Sequence, residues 1–209
     1  GGFGWSREKY LKSSSREAVV GMQRAMAGTV DEVIRVTEAE GIDADIVRAD
    51  NITVATNQPQ LDRAREEYQF YLDWQMPAER IELLSAEDAA KRIRIADIKG
   101  AFVIRDTARV QPAKLVRGLA RVVEGLGVAI FEGTSVTGFE KGRVTTDRGT
   151  VRARVIIRAT EGFTAGFPGE ERTWLPLNSA QIVTEPLPAA LWEEIGWQGH
   201  ELLGDAAHA

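Results

Sequence analysis

Residues 111–160 read QPAKLVRGLARVVEGLGVAIFEGTSVTGFEKGRVTTDRGTVRARVIIRAT, and the order of patterns in them decides the fold. Pro112 suits a first helical turn, where its missing N–H would have had no partner. Leu115, Leu119, Val122, Val123 and Leu126 then recur at helical spacing, which predicts one apolar stripe laid on a sheet. Gly125 and Gly127 end that helix, because a left-handed closing residue is easiest without a Cβ. Val128, Ile130 and Phe131 form the short apolar run expected of a buried strand. Past Gly133, residues 135–140, 143–147 and 150–154 are three β-rich runs. Lys141-Gly142 and Arg148-Gly149 separate them, and two-residue gaps ending in glycine signal tight hairpins. Val155, Ile156 and Ile157 predict a second buried strand, closing on Ala159-Thr160-Glu161-Gly162. The expected class is α/β with mixed α+β character.

Working outward toward residue 1, Ser14 and Glu17 stand at capping-box spacing, hydroxyl and carboxylate each satisfying a backbone donor. Val19, Met22, Met26, Val30, Val33, Ile34 and Thr37 continue at three and four spacing to Gly41, predicting one long amphipathic helix whose methionines fill core. Residues 45–48 and 52–56 read as two short strands around Ala49-Asp50-Asn51. Asn57 caps the next helix, with Pro59 in its first turn, and the charged residues 62–67 form its solvated face. Residues 81–84 predict a strand, Ser85 the cap of a short helix to Arg92, and residues 98–104 another strand. Toward residue 209, an irregular loop leads to a strand over 180–185, stopped by Pro186-Leu187-Pro188, and then a short helix over 189–195. Trp174, Trp192 and Trp197 suit either a pocket lining or a satellite core.

Composition sets the limits. A chain of 209 residues buries roughly 70% of its unfolded surface, enough for a sizeable core. Its net charge of -5, with both signs interspersed, offers no basic stripe for a phosphate backbone, so nucleic acid is not an expected partner. With no cysteine there is no disulfide, thiolate nucleophile or iron-sulfur cluster. His200 and His208 lack a third ligand pattern and read as surface residues, so no metal is expected. No run approaches the ~20 apolar residues of a membrane span and no signal peptide stands out, which makes a cytoplasmic globular protein the default. Gly1-Gly2-Phe3-Gly4 and the closing LLGDAAHA lead to the expectation of a central segment of a longer polypeptide.

Four blocks in order, GGFGWS, ARVQPAKLVRGLARVVEGLGVAIFEGTSVTGFE, GRVTTDRGTVRARVIIRATEGFT and LPLNSAQIVTEPLP, resemble the FAD-dependent amine and amino-acid oxidoreductases. That group includes D-amino-acid dehydrogenase, glycine and sarcosine oxidases and gamma-glutamylputrescine oxidoreductase. The resemblance implies a Rossmann-like FAD domain with a β-meander, interleaved with a mixed-sheet substrate domain. It assigns 1–41 to a glycine-rich turn and a long bridging helix, 42–110 and 167–209 to the substrate domain, and 111–166 to the FAD domain. It implies that Gly1 and Gly2 let backbone approach the flavin and its phosphate linker, a place where a Cβ would obstruct. It implies that Val136 offers main-chain groups to the adenine, and that the small residues Ala159, Thr160 and Gly162 pass close to the dinucleotide. This sequence carries Glu161 where many members place glycine.

A Rossmann site also cradles pyrophosphate with G-x-G-x-x-G between a strand and a helix. Gly1, Gly2 and Gly4 do not fit that spacing. By the resemblance, the flavin takes a hydride from the carbon bearing a neutral amine of an amino acid or amine, and the protein holds the reacting bond and excludes water. No paired carboxylates and no Ser/His/Asp set can be assigned, so no catalytic residue is named. Arg105, Arg109 and Arg158 read first as solvated or structural arginines and second as partners for a substrate carboxylate. A different class stays open: a non-catalytic binding module, or a segment that does not bind FAD by itself.

Overall fold

Side-chain caps start most of the helices. The computed structural model describes residues 6–175, 177 and 180–206. In it Ser6 precedes α1 (Arg7–Leu11), and Ser15, one residue beyond the expected Ser14, accepts from Ala18 N to open α2 (Arg16–Ala39). Asn57 caps α3 (Gln58–Asp73) through Gln60 N, Ser85 caps α4 (Ala86–Arg92) through Asp88 N, and Gln111 caps α5 (Pro112–Gly125) through Lys114 N. Each such cap satisfies an amide that the helix itself cannot, worth about 1 kcal/mol. Two compact units result: residues up to Leu126 together with those from Pro186 onward, and Gly127–Glu185.

In the first unit, β1 (Val47–Ala55), β2 (Ile81–Ser85), β3 (Gly100–Arg109) and β7 (Leu202–Asp205) form a mixed sheet of order β2-β3-β1-β7. Its first two pairings are antiparallel, whereas β7 runs parallel to β1, Ile52 opposite Leu203. Alternation along β3 splits the core between the two faces. Ala101 and Val103 join Ile52, Val54, Ala89 of α4 and Ile93 just after it. Phe102 meets Ala64 and Ile81 on the other face, with the Tyr71 ring stacked at 5.7 Å between centroids. Helix α6 (Ala189–Ile195) closes on left-handed Gly196, and Arg94 Nη1 donates to the carbonyls of Glu193 and Glu194, binding otherwise orphaned helix-end acceptors. Arg92 pairs with Asp50 at 2.8 Å and Glu201 at 2.7 Å, and Trp197 Nε1 donates to Glu201. Trp197 itself packs against the core cluster of α4 and the sheet.

The second unit holds the meander, β4 (Val136–Glu140), β5 (Arg143–Thr146) and β6 (Gly149–Arg152), antiparallel in that order. Gly142 and Gly149, with φ of +78° and +151°, make the two turns.

Several expectations are corrected. Residues 45–48 and 52–56 are not two strands: β1 runs unbroken through Asp50-Asn51, where Asp50 has its partner in Arg92. The runs 128–131, 155–157 and 180–185 are not strands either, because none has a hydrogen-bonded ladder neighbour among the described residues. Apart from half-buried Ile156, their apolar side chains are exposed, Ile157 to 85% and Ile182 to 96%. Only Gly118 of α5 is buried, so the helix does not lay its stripe on a sheet within its unit. Met22 is exposed and not core; on α2, Val19, Val20, Gln23 and Thr37 are the buried residues. No helix among the described residues is long and apolar enough to cross a membrane.

Candidate functional site

Among the described residues of the first unit, Asp106 of β3 is the non-glycine residue with positive φ that lies inside a strand. Ala49 pairs with Thr107, but Asn51 pairs with Ile104, so β3 carries one residue more than β1 across this step. Asp106 sits there at φ +57°, a left-handed conformation that is strained for a residue with a side chain. A bulge of this kind bends the strand and re-aims its side chains. All six residues from Ile104 to Arg109 accordingly line one cavity of about 780 Å³, where a regular strand would present every second one. The opposite wall comes from α2, through Met26, Ala27 and Val30. Such a strained residue at a concave, partly apolar site is where ligand chemistry is to be sought.

The polar lining is cationic: Arg7, Arg80, Arg105 and Arg109 against Asp106 and Glu201. Buried Arg7 donates twice to Gln23 Oε1, at 3.0 and 2.7 Å, and its guanidinium lies over the Phe70 and Tyr71 rings at 4.8 and 5.1 Å. Gln23 in turn donates to the Trp74 carbonyl. Burial, and then the charge of Glu67, push the Tyr71 hydroxyl above the usual tyrosine range, while Arg7 pulls the other way. The phenol therefore stays protonated on the cavity wall. Arg105 pairs with Glu82, and Glu201 is taken by Arg92 and Trp197. His200 lines the cavity as an exposed residue. Among the described residues no group of three His, Cys, Asp or Glu is placed to hold a metal ion.

The second unit contains the other candidate residues. Val136 opens β4 and is partly exposed. The segment that carries Ala159, Thr160 and Gly162 is anchored beside the same strand: the Arg158 guanidinium lies 4.9 Å from the centroid of Phe139, and Phe167 meets that ring edge-on at 5.1 Å. Arg158 also pairs with Glu170 at 2.8 Å. Its guanidinium is thus engaged within the unit. The Thr173 hydroxyl, and after it Arg158, hold the Glu170 carboxyl below the usual range. Glu161, at the position where glycine was expected, takes φ +43°, and its carboxylate accepts from Gly162 N–H. The Thr160 hydroxyl meets that of buried Thr164 at 2.7 Å. Gly1 and Gly2 lie outside the described residues, as does His208.

Sequence reasoning passed over the cavity. Arg105 and Arg109 were visible as guanidinium donors, but Arg7, Arg80 and the bulge at Asp106 were not. Only Asp-Thr following an apolar strand hinted at irregularity there.

The pattern of the family described as DAO, FAD dependent oxidoreductase, matches residues 3–208. Among solved structures, glycine oxidase from Geobacillus kaustophilus is similar, with TM-score 0.53 and 23% identity over 68% of this chain and 39% of that one. L-proline dehydrogenase from P. horikoshii superposes with TM-score 0.59 and 16% identity over 73% of this chain and 40% of that one. L-amino acid deaminase from Proteus myxofaciens does so with TM-score 0.56 and 20% identity over 65% and 32%. At these identities the likeness is one of fold. The chain spans less than half the length of each of these proteins. No curated protein matches the sequence.

Proposed function

Because the chain belongs to the DAO family of FAD-dependent oxidoreductases, we propose that it is the central part of an enzyme that oxidises the carbon–nitrogen bond of an amino acid or amine. The family match over nearly the whole chain carries the FAD-dependent oxidoreductase part of this reading, and the amino-acid-oxidising proteins of similar fold favour a carbon–nitrogen bond as the one oxidised. When bound, FAD would supply the two-electron acceptor for the hydride of the carbon that bears the neutral amine. Water then hydrolyses the resulting imine to a carbonyl compound and ammonia or a smaller amine.

The residues present fit one flank of such a dinucleotide. Ala159, Thr160 and Gly162 are small, and a Cβ added to Gly162 would meet nothing within 4 Å. A planar ligand can therefore lie against bare main chain here, with Val136 on the neighbouring strand. We assign Val136, Ala159, Thr160 and Gly162 to the cofactor contact, and Gly1 and Gly2 to its phosphate linker. The pyrophosphate cradle G-x-G-x-x-G does not occur in the 209 residues. That observation favours a second reading, in which these residues alone do not retain FAD.

The cavity of the first unit is assigned to the substrate. Arg109 presents a guanidinium that no carboxylate engages among the described residues; its one bond is to the Gly199 carbonyl at 2.7 Å. A guanidinium fork matches a substrate carboxylate, and the apolar α2 wall excludes water from the reacting carbon.

The test is the flavin spectrum of the protein as its cell makes it and of residues 1–209 alone, each titrated anaerobically with amino acids and amines. A yellow native protein bleached by one of them supports the enzyme. A colourless 1–209 beside it selects the second reading for the segment. A colourless native protein that reduces no acceptor with any amine removes the proposal.

A further inference from the structure

We infer that the cavity over the β3 bulge is built for a substrate with two anionic groups, one held by Arg109 and the other by Arg80. Of the four arginines on its wall, Arg105 is committed to Glu82, and Arg7 to Gln23 and the aromatic rings beneath it. Arg80 is held loosely. Its Nη2 reaches the Asp106 carbonyl at 3.4 Å and its Nε the Asp106 carboxylate at 3.9 Å, both beyond the span of a strong charge-assisted bond. The Asp106 side chain is 57% exposed, so water screens what attraction it exerts. Among the described residues Arg109 has a single acceptor, the neutral Gly199 carbonyl.

Two guanidiniums with spare donors thus face one cavity, at separate stations along a single strand. Arg80 is stationed at Asp106, and Arg109 lies three residues further on, roughly 10 Å of strand away. Arginine side chains are long enough to close part of that gap, so acid groups a few carbons apart span it. With the first carboxylate on Arg109, a neutral or cationic side chain is costly beside Arg80, because it would leave that fork with only its long contacts to Asp106 in a partly apolar site. The same physics that admits the first carboxylate therefore selects for a second.

That this ligand is the substrate rests on the oxidoreductase reading; the two-anion site does not, and its probes contain no oxidisable amine. Glutarate and pentanoate, matched in carbon number, are titrated calorimetrically into the protein and its variants. Glutarate is expected to bind at least about tenfold more tightly than pentanoate. Arg80→Gln and Arg109→Gln should each weaken glutarate by roughly 10- to 100-fold, while Arg80→Gln leaves pentanoate unchanged. If Arg80→Gln fails to fold, Arg80→Lys carries the test, since an ammonium keeps the charge but loses the fork, and glutarate alone should weaken. Equal affinity for the two acids, or glutarate binding indifferent to position 80, overturns the inference. Glutarate binding in a protein that oxidises no amine keeps the site and removes the enzyme; oxidation of amino acids with no preference for glutarate does the reverse.

Discussion

A single missing methyl group sets how closely α5 approaches the rest of its unit. A Cβ built on Gly118 would fall 2.2 Å from Ile42 Cγ2, and Ile42 is itself buried. Alanine at 118 gains about 1 kcal/mol of helix propensity but meets an overpacking cost of about 1–3 kcal/mol. The clash wins, because Ile42 has no solvent to swing into. Gly118→Ala is expected to lower stability by up to about 2 kcal/mol in urea unfolding. Combined with Ile42→Ala, the loss should be smaller than the sum of the two single losses, and strict additivity would show that helix and loop do not touch here. Glu161 makes the opposite point. A residue with a Cβ holds the left-handed turn that glycine was expected to hold, helped by its own carboxylate accepting from the next amide. Conformation and residue type are therefore separable at this turn.

At the scale of elements, most local signals were read to within a residue or two, although Ser15 and not Ser14 caps α2 and the helix α1 capped by Ser6 was missed. Asn57 and Ser85 cap helices as expected, Pro112 opens α5 as expected, and Pro186-Leu187-Pro188 leads into α6 over 189–195. The meander follows its glycine turns within a residue or two. Elements that need a distant neighbour were misread. β1 was split at Asp50-Asn51 because nothing nearby in the chain announces Arg92, forty-two residues away. β7 was missed because its parallel pairing with β1 is equally remote. The segment 158–167 depends on one such remote contact, the Arg158 guanidinium over Phe139 of β4. A cation over an aromatic face is worth about 0.5–1 kcal/mol at an exposed site. Arg158→Ala should therefore speed amide exchange in 136–140 and 160–166 by about twofold to fivefold, leaving the strands of the first unit unchanged. Exchange unaffected in both segments would mean that this contact does not hold the candidate cofactor turn.

At the scale of the whole molecule, exposed apolar residues outnumber what a solvent-facing surface needs. Val128, Phe131, Val155, Ile157, Ile182 and Val183 are each more than half exposed, all within Gly127–Glu185. Exposed apolar side chains in this number favour the binding of hydrophobic dyes. Ile157→Ser should reduce the fluorescence of bound anilinonaphthalene sulfonate while changing stability by less than about 0.5 kcal/mol. A clear loss of stability would show that Ile157 is packed in solution. The amino-acid sequence alone determined the mixed α/β class, the helix caps, the meander, the family and its cofactor, because those rest on periodicity, turn chemistry and blocks of residues in order. Only the tertiary structure decided which apolar runs find a ladder partner, where β3 gains its extra residue, and which arginines share a cavity. Those outcomes depend on hydrogen bonds and side-chain contacts between residues tens of positions apart, and a linear pattern carries no record of such pairings.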